Sequence, residues 1–168
     1  MRRKKKELQK EQQFWSTFQH INRTPDCNDI PSHLQRVNFR IWDNVNDEHI
    51  ERMVSKVTSI EMLDLDETEI TNAAIEHLAK LEYLGELRLK GIRQIDDACM
   101  PSLNKLSTLK LLHVGGTSIT LEGLFQLTAL KQLKELFFSH DGEIPADEVV
   151  RLKLLFPGCA LAVNNSSI

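Results

Sequence analysis

The chain has 168 residues, enough for one domain with a sizeable core and short of what two usually need. It is 41% hydrophobic and 27% charged, an ordinary globular composition, and no apolar run approaches the ~18 residues of a membrane span. The net charge of −3 is split unevenly: residues 1–10 hold six cations against Glu7, which puts +5 there and −8 on the rest.

The first segment, "MRRKKKELQKEQQ", is basic, and the apolar residues after it are interrupted, so no secretory signal is expected. A helix over about residues 3–21 places Phe14, Phe18 and Ile21 on one face with Trp15 beside them. A basic arm can touch nucleic acid or an anionic membrane surface. Here the acidic body and the lack of aromatic–basic interleaving make nucleic acid the weaker expectation. The connector "NRTPDCNDIPSH", with two prolines, follows. Residues 1–33 are thus expected to form a basic helix and linker, and residues 34–168 the main domain. Cys27, Cys99 and Cys159 are widely spaced, without a C-x-x-C pair. That argues against a disulfide framework and a structural zinc, and suits a reducing, cytoplasmic setting.

From residue 34 the sequence repeats. "LQRVNFRIWDNVN", "IEMLDLDETEIT", "LGELRLKGIRQID", "LKLLHVGGTSIT" and "LKELFFSHDGEI" share one frame, an apolar residue at positions one, four and six. The fourth positions, Val37, Leu63, Leu87, Leu112 and Leu136, recur every 24–26 residues, and "CALAVN" adds Leu161 as a partial sixth. Alternation such as Leu63-x-Leu65 predicts a short strand. Ile70, Ala74, Ile75, Leu78 and Leu81 then fall at helical spacing, with Thr71 or Asn72 as cap; Asp96 or Asp97 and Thr120 are the equivalents later on. Met100-Pro101 fits a first helical turn. One strand and one helix per unit cannot bury an apolar edge alone, so the copies are expected to stack with parallel strands.

These residues resemble the leucine-rich repeat family. The bacterial-type unit L-x-x-L-x-L-x-x-T-x-I-T is matched by Leu63, Leu65, Thr68, Ile70 and Thr71, and again by Leu112, Val114, Thr117, Ile119 and Thr120. The resemblance covers about residues 34–163. It implies an α/β solenoid of about five repeats, short parallel strands on the concave face and helices on the convex face; a solenoid end exposes an apolar edge, so the N-terminal helix is expected to cap it through its aromatics. Trp42 and Ile92 replace the polar turn residue, Asp141 takes it in the last full unit, and an extra residue precedes Val45 and Ile95, so altered turns are expected there. The stretch "ITNAAIEHLAKLEYLGELRLKGIRQIDDACMPSL" is also similar to the mitochondrial ATP synthase coupling factor B (subunit s) family, which would imply a non-catalytic assembly role.

Positions three, five and seven of each unit should point out of the concave sheet. They carry Arg36, Met62, Glu86, Leu111 and Glu135; Asn38, Asp64, Arg88, His113 and Phe137; and Arg40, Asp66, Lys90, Gly115 and Ser139. Asp64 and Asp66 are expected to be surface acids flanked by Arg40, Arg88 and Lys90, a setting that disfavours a divalent cation. Gly115-Gly116 lacks the Lys-Ser/Thr of a phosphate loop and reads as a turn. His113 and His140 have no thiolate or carboxylate companion at ligand spacing. His20, His33, His49 and His77 read as scattered surface residues, and Cys159 as a small buried hydrophobe. No cofactor, metal or small-molecule substrate is expected. The sequence points to a non-enzymatic module that binds a protein partner through Arg36, Asn38, Arg40, Asp64, Asp66, Arg88, Lys90, Leu111, His113 and Phe137. The alternative is an accessory subunit of a larger complex, tethered by its basic helix.

Overall fold

The computed structural model describes residues 2–24 and 30–168. Met1, residues 25–29 of the connector with Cys27 among them, and the side chains of Arg2 and Arg3 lie outside the described residues. After helix α1 (Arg2–Asn22) the chain alternates strands and helices: β1 (His33–Asn38), α2 (Asp47–Val54), β2 (Ser59–Asp64), α3 (Asn72–Leu78) and β3 (Tyr83–Arg88). A 3₁₀ turn (Asp97–Cys99) then leads into α4 (Met100–Leu103), followed by β4 (Leu111–His113), α5 (Leu121–Leu124), β5 (Glu135–Phe138), α6 (Ala146–Leu155), β6 (Ala160–Val163) and β7 (Ser166–Ser167).

The fold is α/β. The strands stand in one sheet in chain order, β1 to β6 parallel, and β7 turns back antiparallel on β6. The pairing places Val37, Leu63, Leu87, Leu112, Leu136 and Leu161 opposite one another in a single row, each almost fully buried. The two-residue periodicity sends position six the same way, and Phe39, Leu65, Leu89, Val114 and Phe138 make a second buried row. The helical stripe predicted for the second unit, Ile70, Ala74, Ile75, Leu78 and Leu81, joins the same core.

The turn after each strand explains the threonine of the repeat. Thr68 Oγ1 donates to the Leu65 carbonyl at 2.7 Å, and Thr117 Oγ1 to the Val114 carbonyl at 2.7 Å. The backbone turn survives without the hydroxyl, since Trp42 N–H reaches Phe39 O at 3.0 Å and Ile92 N–H reaches Leu89 O at 3.4 Å. Ile92 is instead buried, and Trp42 stacks on Phe39 at 5.6 Å between ring centroids. The eighth position is left-handed in three units, at Glu67, Gly91 and Gly116 (φ 62°, 80° and 71°). In the first and fifth units that conformation moves to Asn44 and Gly142, where the turns differ as expected. The third unit keeps Gly91 and absorbs its extra residue with a second turn bond, Ile95 N–H to Ile92 O.

Helix starts are tied to their neighbours by side chains. Asp47 accepts both Thr71 N–H and Thr71 Oγ1–H at 2.7 Å, while Thr71 Oγ1 caps α3. Asn72 and Asp96 bond each other's unit in the same way, and Asp97 accepts Thr120 N–H at 2.8 Å and Oγ1–H at 2.6 Å. Both Asp96 and Asp97 are therefore used, Asp96 as cap of the 3₁₀ turn and Asp97 as brace to α5. Pro101 sits in the first turn of α4.

Helix α1 lies against the first strand through its aromatic face. Phe14, Trp15 and Phe18 are buried; Phe14 stacks on Trp42 at 5.4 Å and Phe18 meets Phe39 at 5.8 Å. Asn22 Oδ1 accepts the N–H of Asn38, so the helix end is also bonded to β1. Ile21, assigned to the same face, is only half-buried. His49, expected at the surface, instead completes a capping box with Asn46 and packs edge-on to Trp42 at 5.0 Å. Cys159, expected to be buried, is half-buried. The last strand, β7, has no counterpart in the repeat; its hairpin forms because Asn164 and Asn165 both take positive φ, 49° and 68°.

Phe18→Ala is expected to cost about 3–5 kcal/mol, the price of an emptied core site, measured by urea unfolding. Gly123→Ala tests the cap braces with an unusual sign. In an ordinary helix this exchange stabilises by roughly 0.5–1 kcal/mol. Here the added methyl collides with the Asp97 carboxylate, so a loss of about 1 kcal/mol is expected, the worth of a hydrogen bond displaced from Thr120; a gain in stability would remove the argument.

Candidate interaction face

The side chains of positions three, five and seven emerge on the sheet face turned away from the buried leucines. Strand pairing brings Asn38, Asp64, Arg88, His113 and Phe137 into one in-register row, as the repeat frame requires. Arg36 and Arg40 are exposed at one end, Lys90 is exposed in the middle, and Arg88, His113 and Phe137 are half-exposed.

Three of the expected contact residues are not available in this way. Leu111 is buried, 6% exposed. Asp64 and Asp66 are also buried, at 8% and 6%, so they are not the surface acids that the sequence suggested. Nor are they held by cations. Asp64 Oδ1 accepts Asp66 N–H at 3.1 Å, and Asp66 Oδ1 accepts Lys90 N–H at 2.8 Å. The cations pair elsewhere: Arg40 with Glu67 at 3.4 Å, and Arg88 with Glu86 of its own strand at 3.5 Å.

A rule emerges for the fifth position. Asn38 Oδ1 accepts Arg40 N–H at 3.0 Å, Asp64 accepts Asp66 N–H, and His113 Nδ1 accepts Gly115 N–H at 3.2 Å. Each is an acceptor for the amide two residues on, at the point where the strand ladder ends and backbone donors lose their partners. In the third unit Arg88 cannot accept, and Asp66 reaches across to the Lys90 amide instead. In the fifth unit Phe137 cannot accept either, and Ser139 Oγ serves the preceding unit by taking Gly116 N–H at 2.9 Å. Asn38, Asp64, Asp66 and His113 therefore finish the backbone, while Arg36, Arg88, Lys90 and Phe137 are not needed by it.

Burial, the largest cause, pushes the Asp66 carboxyl above its ordinary range, and the nearby Asp64 adds to this; the Lys90 amide, His113 and Arg40 oppose it. Burial likewise holds His113 below its ordinary value, helped by Lys90 and Arg88 and opposed by Asp66. With Nδ1 engaged as acceptor, neutral His113 carries its proton on Nε2. Its ring stacks on Phe137, centroids 5.2 Å apart and planes 12° from parallel.

Asp66, His113 and Ser139 are residue types of a nucleophilic relay on one face. Their bonds point elsewhere: the Nδ1 acceptor faces Gly115, and Ser139 Oγ is engaged with Gly116. Among the described residues, no group of three or more His, Cys, Asp or Glu could hold a metal ion, and no helix is long and apolar enough to cross a membrane. The Cys99 and Cys159 thiols are free and pushed up by burial to about 12 and about 11. Sequence reasoning missed a polar chain at the other end of the strands, where Tyr83 Oη donates to Glu61 at 3.0 Å and accepts from Lys110 Nζ at 3.2 Å.

His113 folds with a lowered proton affinity, so the unfolded chain binds its proton more readily. Stability should then be full above about pH 6.5, the ordinary histidine value, and fall as pH drops below it. His49, also lowered by burial, acts in the same direction. Between pH 7 and 5 the drop in Tm is expected to be smaller in His113→Phe than in the parent, read by circular dichroism. No protein-family model matches the chain, and no curated protein is significantly similar to it.

Proposed function

We propose that the chain is a short leucine-rich-repeat solenoid that carries out no reaction and binds a protein partner through its concave strand face. The support for the repeat architecture is the in-register leucine row together with the Thr68 and Thr117 turn bonds. The observation that carries the binding role is the set Arg36, Arg88, Lys90 and Phe137, exposed or half-exposed on that face and spread across β1, β3 and β5. None of their side chains serves the backbone ends; among the described residues Arg88 pairs with Glu86 at 3.5 Å, both side chains one-third exposed although the paired Glu86 oxygen is buried. Cations beside an aromatic ring are the composition of an interface centre.

The reading as a tethered accessory subunit has less support. The aromatic face of α1 is spent on Trp42 and Phe39, and Glu7 and Lys10 reach Arg52 and Glu48 of α2. Those contacts suit a cap. Only the outer basic side of the helix is left to meet a membrane or another subunit.

The test is a double reversal, Arg88→Glu with Lys90→Glu. Recovery of partners from the native source, counted by mass spectrometry, is expected to fall at least tenfold while the thermal unfolding curve stays in place. Unchanged recovery would count against the concave face.

A further inference from the structure

We propose that the Lys90–His113–Phe137 corner of this face is an anchor for one large apolar side chain of an extended acidic peptide in the partner. This rests on the reading above and narrows it to one place and one chemistry.

The corner is a concavity of about 180 Å³, lined among others by Lys90, His113, Phe137, Ser139 and Asn164. An apolar cavity of roughly 150 Å³ holds a benzene ring, so the space admits one phenyl or leucyl side chain. Its floor is the stacked His113–Phe137 pair. The Nδ1 of His113 is occupied by Gly115, so the ring turns its stacked face to the space and keeps one polar group, the Nε2–H, at its edge. Its wall is the β6–β7 turn, held in place because Asn164 bonds both the N–H and the carbonyl of His140, at 3.3 and 2.7 Å. The wall is part of the hairpin and needs no rearrangement.

Charge selects the neighbours of the anchor. Lys90 is exposed at the rim and has no ion pair within 4 Å among the described residues. Of the nearby carboxylates, Asp66 is buried and turned to the Lys90 amide, and Glu67, which lies against Gly91, is paired with Arg40 at 3.4 Å. The Lys90 ammonium is thus the outward charge at this corner, and a partner carboxylate beside the anchor residue would meet it. An apolar anchor in a pocket, ringed by a steering charge, is how few residues carry most of an interface.

Short synthetic peptides centred on Glu-Phe-Glu, Lys-Phe-Lys and Glu-Ala-Glu, titrated into the ¹⁵N-labelled full chain, test this. The Glu-Phe-Glu peptide is expected to move the Gly115, Gly116 and Ser139 amide signals. Its Kd is expected to rise roughly tenfold or more in Phe137→Ala and, separately, in the surface variant Lys90→Glu. The other two peptides should bind at least tenfold more weakly. Equal binding of Lys-Phe-Lys, silence with Glu-Phe-Glu, or indifference to both variants would overturn the proposal. Shifts confined to Arg36 and Arg40 would overturn it too but leave the wider face as a binding surface. If peptides are silent and the Arg88/Lys90 reversal also leaves partner recovery unchanged, both readings fall.

Discussion

Parallel pairing without slippage is what the rest of the molecule depends on. Adjacent strands lie about 4.8 Å apart and end at the same height, so a residue at a given place in one unit sits beside its equivalent in the next. The buried leucines form one column, the turn residues another, and the side chains that join helix starts a third. Each column is satisfied by chemistry suited to its place: apolar packing in the first, threonine hydroxyls on carbonyls in the second, aspartate on threonine in the third. A shift of one residue between any two strands would send the leucines to water and break all three together.

The same alignment creates a difficulty where the strands stop, because several backbone amides reach the end of the ladder side by side. In the first four units the chain meets it with side chains two residues upstream, or with the neighbouring unit where the local residue cannot accept. Polar residues on the open face therefore divide by what their backbone asks of them. Asp64 and Asp66 are acidic because amides need acceptors, and burial is the result. Lys90 and Phe137 answer no such demand, and their presence is the more informative.

Much of this was legible in the sequence. The 24–26-residue spacing determined strand number, direction and register through Leu161, and the stripe from Ile70 to Leu81 placed a helix correctly. The aromatic face of α1 identified its docking. What escaped were features that depend on distance across units. Nothing in "LDLDETEIT" alone shows that Asp66 serves an amide 24 residues later. Leu111 occupies an outward position by count yet is covered. His49 looked unremarkable because its partners, Asn46 and Trp42, belong to a cap and to a turn. The hairpin at Asn164-Asn165 did carry a local signal, two asparagines suited to left-handed backbone, but lay beyond the last apolar match.

That hairpin has a wider meaning. An arrangement that grows by adding like modules in one direction contains no internal reason to stop, and an open rim would recruit any passing strand. Reversal of the chain at β7 introduces the one segment that cannot be copied onward in the same sense. Helix α1 meets the opposite edge by a wholly unlike means, aromatic rings packed on Phe39 and Trp42 just beyond β1. A unit gained or lost between these two pieces would change the number of parallel strands and leave the contacts of α1 and β7 as they are.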